Sequence, residues 1–494
     1  MKTRRALLCL ILLFALTASG CGEDVPDVPD NPAQACAGTG DPLAAAEVDG
    51  IVKAAAGAVN QPMTIAVVDR AGRVLGLFRK SGASPNDDDL AVSLARTGAF
   101  FSNNQAPLSS RTVRFISGIH FPPGVENTPN GALYGIENTN RGCNLNVTFN
   151  PGKTVFPATA VAGGPGLGIT TGKADVNDSD PTAVNPGGLP IFRGCTVVGG
   201  VGVAGVPGDL AEFAAVRGIG AFPPQIAEPA VVFIDGIRLP FVTQTTQPAG
   251  TSPGSSDGVY AIGPLAGGTA PDGYLVGPHA GSALTMAEVD RIVQQAIETA
   301  KKTRASIRLP IGLRTRMVIA VGDTDGTILA LYRMPDATFF SIDVAVAKAR
   351  NVVYFSGAGA ADLPGIPPGT AVSNRTIGFG SQPLYPPGIT GPTPGPGPFF
   401  NLFLRDTAFP CSQGSQATNP NQNGVVFFPG STPLYKNGVI VGGLGVSGDG
   451  VEQDDYVTNG GAEGFLPPPE IRADQVTLRG ARLPFFKFPR NPEK

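Results

Sequence analysis

From residue 43 onward the apolar positions fall at helical spacing. Val48, Ile51 and Val52 share one face, and Val289, Ile292 and Val293 repeat that spacing later. Asp41-Pro42 offers an N-cap and a first-turn proline, which predicts a helix over 43–58. Thr285-Met286-Ala287-Glu288 is a capping box, which predicts a second such helix running to 304. The pattern then changes to short apolar runs split by turns. Segments 63–69 and 73–79 flank Arg70-Ala71-Gly72, and segments 317–322 and 327–333 flank Asp323-Thr324-Asp325-Gly326. Both read as β-hairpins, the later one with an Asp-Gly turn. Helices are predicted next over 87–102 and 341–355. Ala91, Ala95 and Ala99 lie four apart, as do Ala345 and Ala349, and such a stripe lets a helix lie close to a sheet. Asp87, Asp88 and Asp89 favour the helix start through the dipole. After roughly 75–90 irregular residues, strands are predicted over 196–204 and 231–239, matched by 439–447 and 475–483. Helix, hairpin, helix, long loop, strand, short helix, strand implies an α+β fold, an antiparallel sheet flanked by helices, and not a doubly wound one.

Every element named so far occurs twice, in one order. TIAVVDRAGRVLGLFRK (64–80) returns as VIAVGDTDGTILALYRM (318–334), identical at 8 of 17 positions. SSRTVRF (109–115) returns as SNRTIGF (373–379), VVGGVGVAG (197–205) as IVGGLGVSG (440–448), and RLPF (238–241) as RLPF (482–485). A repeat of this size is a domain duplication and not a solenoid. The expected domains are 41–245 and 284–494, joined by a Gly/Pro/Ser-rich linker over 246–283.

Composition adds long Gly/Pro-rich surface loops to this picture. Gly and Pro make up 67 and 48 of 494 residues, yet 42% of the chain is hydrophobic. The net charge is 36 − 39 = −3, without the basic stripe that nucleic acid requires. At the N-terminus Lys2, Arg4 and Arg5 precede an apolar stretch, 6–16, too short to span a bilayer. Ala18-Ser19-Gly20-Cys21 resembles a bacterial lipobox. The expectation is a signal peptide over 1–20, a lipidated Cys21, an acidic Pro-rich tether over 21–40, and a membrane-anchored protein of the cell envelope. Gly22, in place of Asp, favours the outer membrane. Cys36, Cys143, Cys195 and Cys411 then allow three full disulfide pairings, with Cys143–Cys195 a candidate inside the first copy.

Candidate chemistry is sparse. GVGVAG (200–205) and GLGVSG (443–448) fit G-x-G-x-x-G, but no βαβ unit surrounds them, so a Gly-rich strand packed on a neighbour is the better reading. GTSPG (250–254) lies in the linker, away from a strand–turn–helix context. DVNDSD (175–180) clusters oxygens but departs from the calcium-loop pattern. His120 is a candidate haem-iron ligand through its neutral imidazole. Arg111 and Arg375 recur in S-x-R-T and are candidates to receive a carboxylate such as a haem propionate, or else to tie down their loop. No metal-ligand spacing identifies a metal, and no nucleophile–base pair recurs in both copies, so catalysis is the least expected reading.

The paired signature IAVVDRAGRVLGLFR and IAVGDTDGTILALYR, the helices around it, and GGLGVSGDGVEQDD (442–455) resemble the GlcG/HbpS-type family, which includes the C-terminal domain of PduO-like proteins. The resemblance implies two tandem GlcG-like (profilin-like) domains and self-association, or a pseudo-symmetric dimer inside one chain. It also implies haem or another tetrapyrrole as ligand. Asp454 and Asp455 stand where the family's acidic residue follows GVSG, which makes Asp454 a candidate binding residue. The expected function is therefore a haem-binding lipoprotein. The alternative is an interaction lipoprotein without a small ligand.

Overall fold

The computed structural model describes residues 40–125, 128–136, 186–225, 230–386, 395–409 and 411–494. The signal segment, Cys21, the tether through residue 39, Cys36, Cys143 and the 175–180 cluster lie outside the described residues.

Helix α1 (Ala45–Ala56) buries Val48, Ile51, Val52 and Ala55. Strands β1 (Thr64–Asp69) and β2 (Val74–Lys80) form the first hairpin, and α2 (Asp88–Phe101) follows. A short capped helix α3 (Ser110–Phe115), strands β3 (Gly188–Arg193) and β4 (Thr196–Ala204), and α4 (Gly208–Gly218) complete the main body of copy one. The segment expected as one strand over 231–239 is instead a small hairpin, β5 (Phe233–Ile234) and β6 (Ile237–Arg238). Asp235 and Gly236 both take positive φ at its turn (51° and 79°), the requirement of a tight two-residue hairpin.

The expected linker, 246–283, does more than connect. It carries β7 (Gly258–Ile262), which pairs with β2, and β8 (Gly273–Val276), which joins the sheet of copy two. Copy two runs α5 (Met286–Lys302), β9 (Met317–Gly322), β10 (Ile328–Arg333), α6 (Ser341–Ser356), α7 (Asn374–Gly380) and α8 (Phe400–Ala408). It ends with β11 (Ser431–Lys436), β12 (Val439–Gly448), α9 (Val451–Gly461) and a last hairpin, β13 (Thr477–Leu478) and β14 (Ala481–Arg482). The five-stranded sheets are wholly antiparallel and ordered β3-β4-β1-β2-β7 and β11-β12-β9-β10-β8. The fold is α+β. One edge strand comes from after copy one and the other from before copy two.

Both faces of each sheet are covered, which explains why TIAVV is a continuous apolar run. Ile65 and Val67 pack with α1 and α4, while Ala66 and Val68 pack with α2. The repeated glycines sit on β4 and β12 beneath the Ala stripes. A Cβ on Gly200 or Gly202 would lie 2.1 Å from the carbonyl oxygen of Ala95 or Ala91. On Gly443 or Gly445 it would lie 2.3 or 2.1 Å from that of Ala349 or Ala345. The G-x-G-x-x-G stretch is thus a strand that lets a helix backbone approach closely, and both halves of the pattern serve one contact.

The copies meet through unlike positions. Phe101, ending α2, stacks on Phe340, just before α6, with centroids 4.1 Å apart. Phe100 packs on Phe339 at 5.2 Å, and the Phe339 N–H donates to the Phe100 carbonyl. Asn103 Nδ2 donates to the Ile307 carbonyl at 2.9 Å, and Asn104 N to Asp336. Arg308 binds Gln105, Asp336 and Asp449 at once. These contacts join unlike positions head to tail, not as the like-with-like pairs of a two-fold axis; a separate contact stacks Tyr134 of copy one on Phe403 of copy two at 4.7 Å.

Candidate functional site

The repeated S-x-R-T motif opens a helix in each copy. Ser109 and Ser373 are the N-caps of α3 and α7, each within a capping box closed by Thr112 or Thr376. The same hydroxyls reach the repeated R-L-P-F motif. Ser109 Oγ donates to the Phe241 carbonyl (2.5 Å) and Thr112 Oγ1 to that of Pro240 (2.6 Å). Ser373 and Thr376 do the same to Phe485 and Pro484, both at 2.6 Å. Two motifs that recur far apart in sequence are therefore the two sides of one clasp.

The motif's arginine binds a carboxylate, but one of the protein's own. Arg111 grips Glu212 on α4 through Nε (2.7 Å) and Nη2 (3.1 Å). Glu212 also accepts from the backbone N–H groups of Thr243 (2.9 Å) and Gln244 (2.8 Å). Arg375 binds Asp455 on α9, and Asp455 accepts from Gly430 N (2.9 Å) and Lys487 N (3.0 Å). Each acid ties a cap helix, its own helix and the strap after R-L-P-F into one unit. Arg375 Nη2 remains buried without a hydrogen-bond partner.

Beside this shared clamp, copy two holds a charged pair that copy one lacks. Lys348 on α6 is wholly buried and donates to Asp454 Oδ2 (2.9 Å) and the Val446 carbonyl (2.7 Å). Its ammonium lies 5.0 Å from the centre of the Phe428 ring. In copy one Leu94 precedes Ala95 as Lys348 precedes Ala349, and Ala211 precedes Glu212 as Asp454 precedes Asp455. Both are buried apolar residues. Burial pushes the Asp454 carboxyl up to about 7, against the lowering effect of Lys348. Burial also raises Asp455 and lowers Lys348, the latter against Asp454. Asp454 Oδ1 is buried without a partner. A carboxyl poised near neutrality next to a desolvated amine can hold or release a proton, the property that marks candidate functional sites.

His120 lies in copy one, apart from these clamps, just after α3. It is buried, and its Nδ1 has no hydrogen-bond partner. Thus Arg375 and Asp454 come together around α9, Arg111 sits at the matching place in copy one, and His120 stands alone. Lys348 was not singled out from the sequence. Its signal was a lysine inside a helix whose repeat carries leucine. Cys195 and Cys411 are each in a disulfide; the candidate partner Cys143 lies outside the described residues. Among the described residues no group of three or more His, Cys, Asp or Glu is placed to hold a metal. No described helix is long and apolar enough to cross a membrane.

A family model described as "Haem degrading protein HbpS-like" matches residues 43–220 and again 284–463. The corrinoid adenosyltransferase PduO of Salmonella typhimurium is 27% identical over 152 residues, 31% of this chain and 33% of that protein. The PduO of Citrobacter freundii gives the same figures, so this chain spans about a third of the length of the curated relatives it matches. Among solved structures, a PduOC:heme complex is 23% identical, with 37% of this chain and 95% of that chain covered and a TM-score of 0.24. An HbpS double mutant from Streptomyces reticuli is 18% identical, with 37% and 88% covered and a TM-score of 0.23.

Proposed function

Because the chain belongs to the HbpS-like family, whose description names haem degradation, we propose that it is an extracytoplasmic haem-binding lipoprotein. The observation that carries the haem reading is His120. Of the four candidate residues it alone offers a buried, unpartnered nitrogen that can carry a lone pair, and a neutral imidazole is a common ligand of haem iron. Arg111, Arg375 and Asp454 are already engaged by Glu212, Asp455 and Lys348. Bound haem would supply redox-active iron; His120 would hold it.

Hemin titration of the purified protein, followed by visible absorption, tests this. The expected result is a saturable, shifted Soret band near one equivalent. His120→Ala should abolish the shift and weaken binding tenfold or more, since about 1.4 kcal/mol is already tenfold. A featureless, unsaturable rise would sink the haem reading. The second reading, an interaction lipoprotein without a small ligand, would then lead. What favours it is that three of the four candidates are already in ion pairs within the protein.

The membrane anchor rests on the lipobox-like Ala18-Ser19-Gly20-Cys21. Cells fed labelled palmitate are expected to label the native chain and not Cys21→Ala, which should leave the membrane fraction. Label retained by the variant would end the lipoprotein proposal.

A further inference from the structure

Where the copies meet, the buried charges do not balance. Arg70 belongs to the first hairpin turn; copy two has Thr324 in its place. Arg70 is buried, with Nη2 donating to the Ser102 carbonyl at 2.9 Å and Nη1 donating to nothing. The charges that bear on it are Arg333, Arg308 and Asp336, two guanidiniums and one carboxylate. Asp336 is already committed to Arg308 (2.6 Å) and to the Asn104 N–H. Arg333 donates to carbonyls alone, those of Ala337 and Pro271, with Asp336 and then the exposed Asp272 acting on it electrostatically. Arg308 has a second acid, Asp449. Arg70 therefore has no carboxylate of its own.

Burial, aggravated by Arg333 and Arg308 and eased by Asp336, pushes the Arg70 guanidinium down to about 9, which leaves it charged at neutral pH. A buried charge without a counter-ion is among the costliest arrangements a protein can hold. We propose that a small monovalent anion, a halide or a formate-sized carboxylate, binds between the copies at Nη1 of Arg70 and completes their interface. A free N–H on a fixed planar fork recognises such an ion, and the surrounding excess of guanidinium charge sets its sign.

Two measurements decide this. The first is the melting midpoint of the purified protein at constant ionic strength, with chloride or formate replacing the larger anion gluconate. A saturable rise of about 2–4 °C is expected for the native chain and a flat response for Arg70→Leu. Chloride and formate curves together show which kind of anion the site prefers. The second keeps the proposal open to refutation if Arg70→Leu does not fold: bromide soaked into crystals of the native protein should give an anomalous peak within hydrogen-bond distance of Arg70 Nη1. A rise that is unsaturable, or that Arg70→Leu retains, overturns the site. So does a bromide map with no peak at Arg70.

Discussion

Replacing Lys348 and Asp454 together, by Leu and Ala, is expected to leave the protein as stable as the native chain or more stable, by about 1–4 kcal/mol. The chain itself motivates this result. Leu94 and Ala211 fill the same two places in copy one, beneath the same Arg–acid clamp and beside the same glycine strand. Desolvating an ammonium and a carboxylate often costs more than their mutual attraction returns, so the apolar solution should win. Lys348→Leu alone is expected to cost about 3–5 kcal/mol at pH 8, because Asp454 loses the ammonium that lowers its pKa and must either stay charged and buried or take up a proton far above its ordinary range. The sign with pH follows from the raised carboxyl. A group whose native pKa is raised contributes stability that is full below its ordinary range, near 4, and lost as pH rises through its native value, here about 7. The penalty of the single variant should therefore shrink when urea unfolding is repeated near pH 5. A double variant less stable than the single one would show that the pair is structural. A double variant that is stable places the reason for Lys348 and Asp454 in chemistry rather than in folding.

Arg308→Met carries the other large effect. Arg308 is buried and bridges Asp449, Asp336 and Gln105, so one side chain links copy two to copy one. Without it Asp449 keeps only the Arg316 N–H (2.7 Å) among its described partners, in a site that already raises its pKa by burial. A loss of about 3–5 kcal/mol is expected. Calorimetry should also resolve two transitions, because the charged bridge between the copies is gone and the aromatic contacts, Phe100–Phe339, Phe101–Phe340 and Tyr134–Phe403 among them, are left with a few hydrogen bonds. A single unchanged transition would mean that the aromatic contacts alone couple the halves.

The parts of the fold that were legible from sequence are those with strong local signals. Helical spacing placed α1, although the helix starts after Ala44 and not at the expected Asp41-Pro42 cap; the Thr285 capping box and helical spacing placed α5, and continuous apolar runs around turns placed β1–β2 and β9–β10. Strands β3 and β11 went unread because each contains a proline, Pro190 or Pro433. Proline is tolerated there because both are edge strands, where a missing N–H breaks no second ladder. β7 and β8 were hidden in a stretch whose Gly/Pro/Ser composition reads as linker; their pairing partners lie far off in sequence. The Asp235-Gly236 turn carried the same signal as Asp325-Gly326 and was legible in principle. At the site, S-x-R-T and the Asp454–Asp455 pair stood out as motifs. That Arg375 binds Asp455 was not readable, since 80 residues separate them. Lys348 was readable only by laying the copies side by side and asking why a leucine had become a lysine.

The mode of contact between the copies has a bearing on solubility. A head-to-tail joint between two like folds, if every fold offered both surfaces, would add subunits without end and grow a fibre. Copy one does not offer the second surface. In the register that aligns Asp89 with Asp343, Pro85 and Asn86 stand where copy two presents Phe339 and Phe340, and both are exposed. The Pro85-Asn86 tip gives the matching Tyr354 and Phe355 of another molecule no ring to stack on. Fusion of the two copies has thus let one half specialise as a terminus, and the chain carries its own stop against polymerisation through that joint.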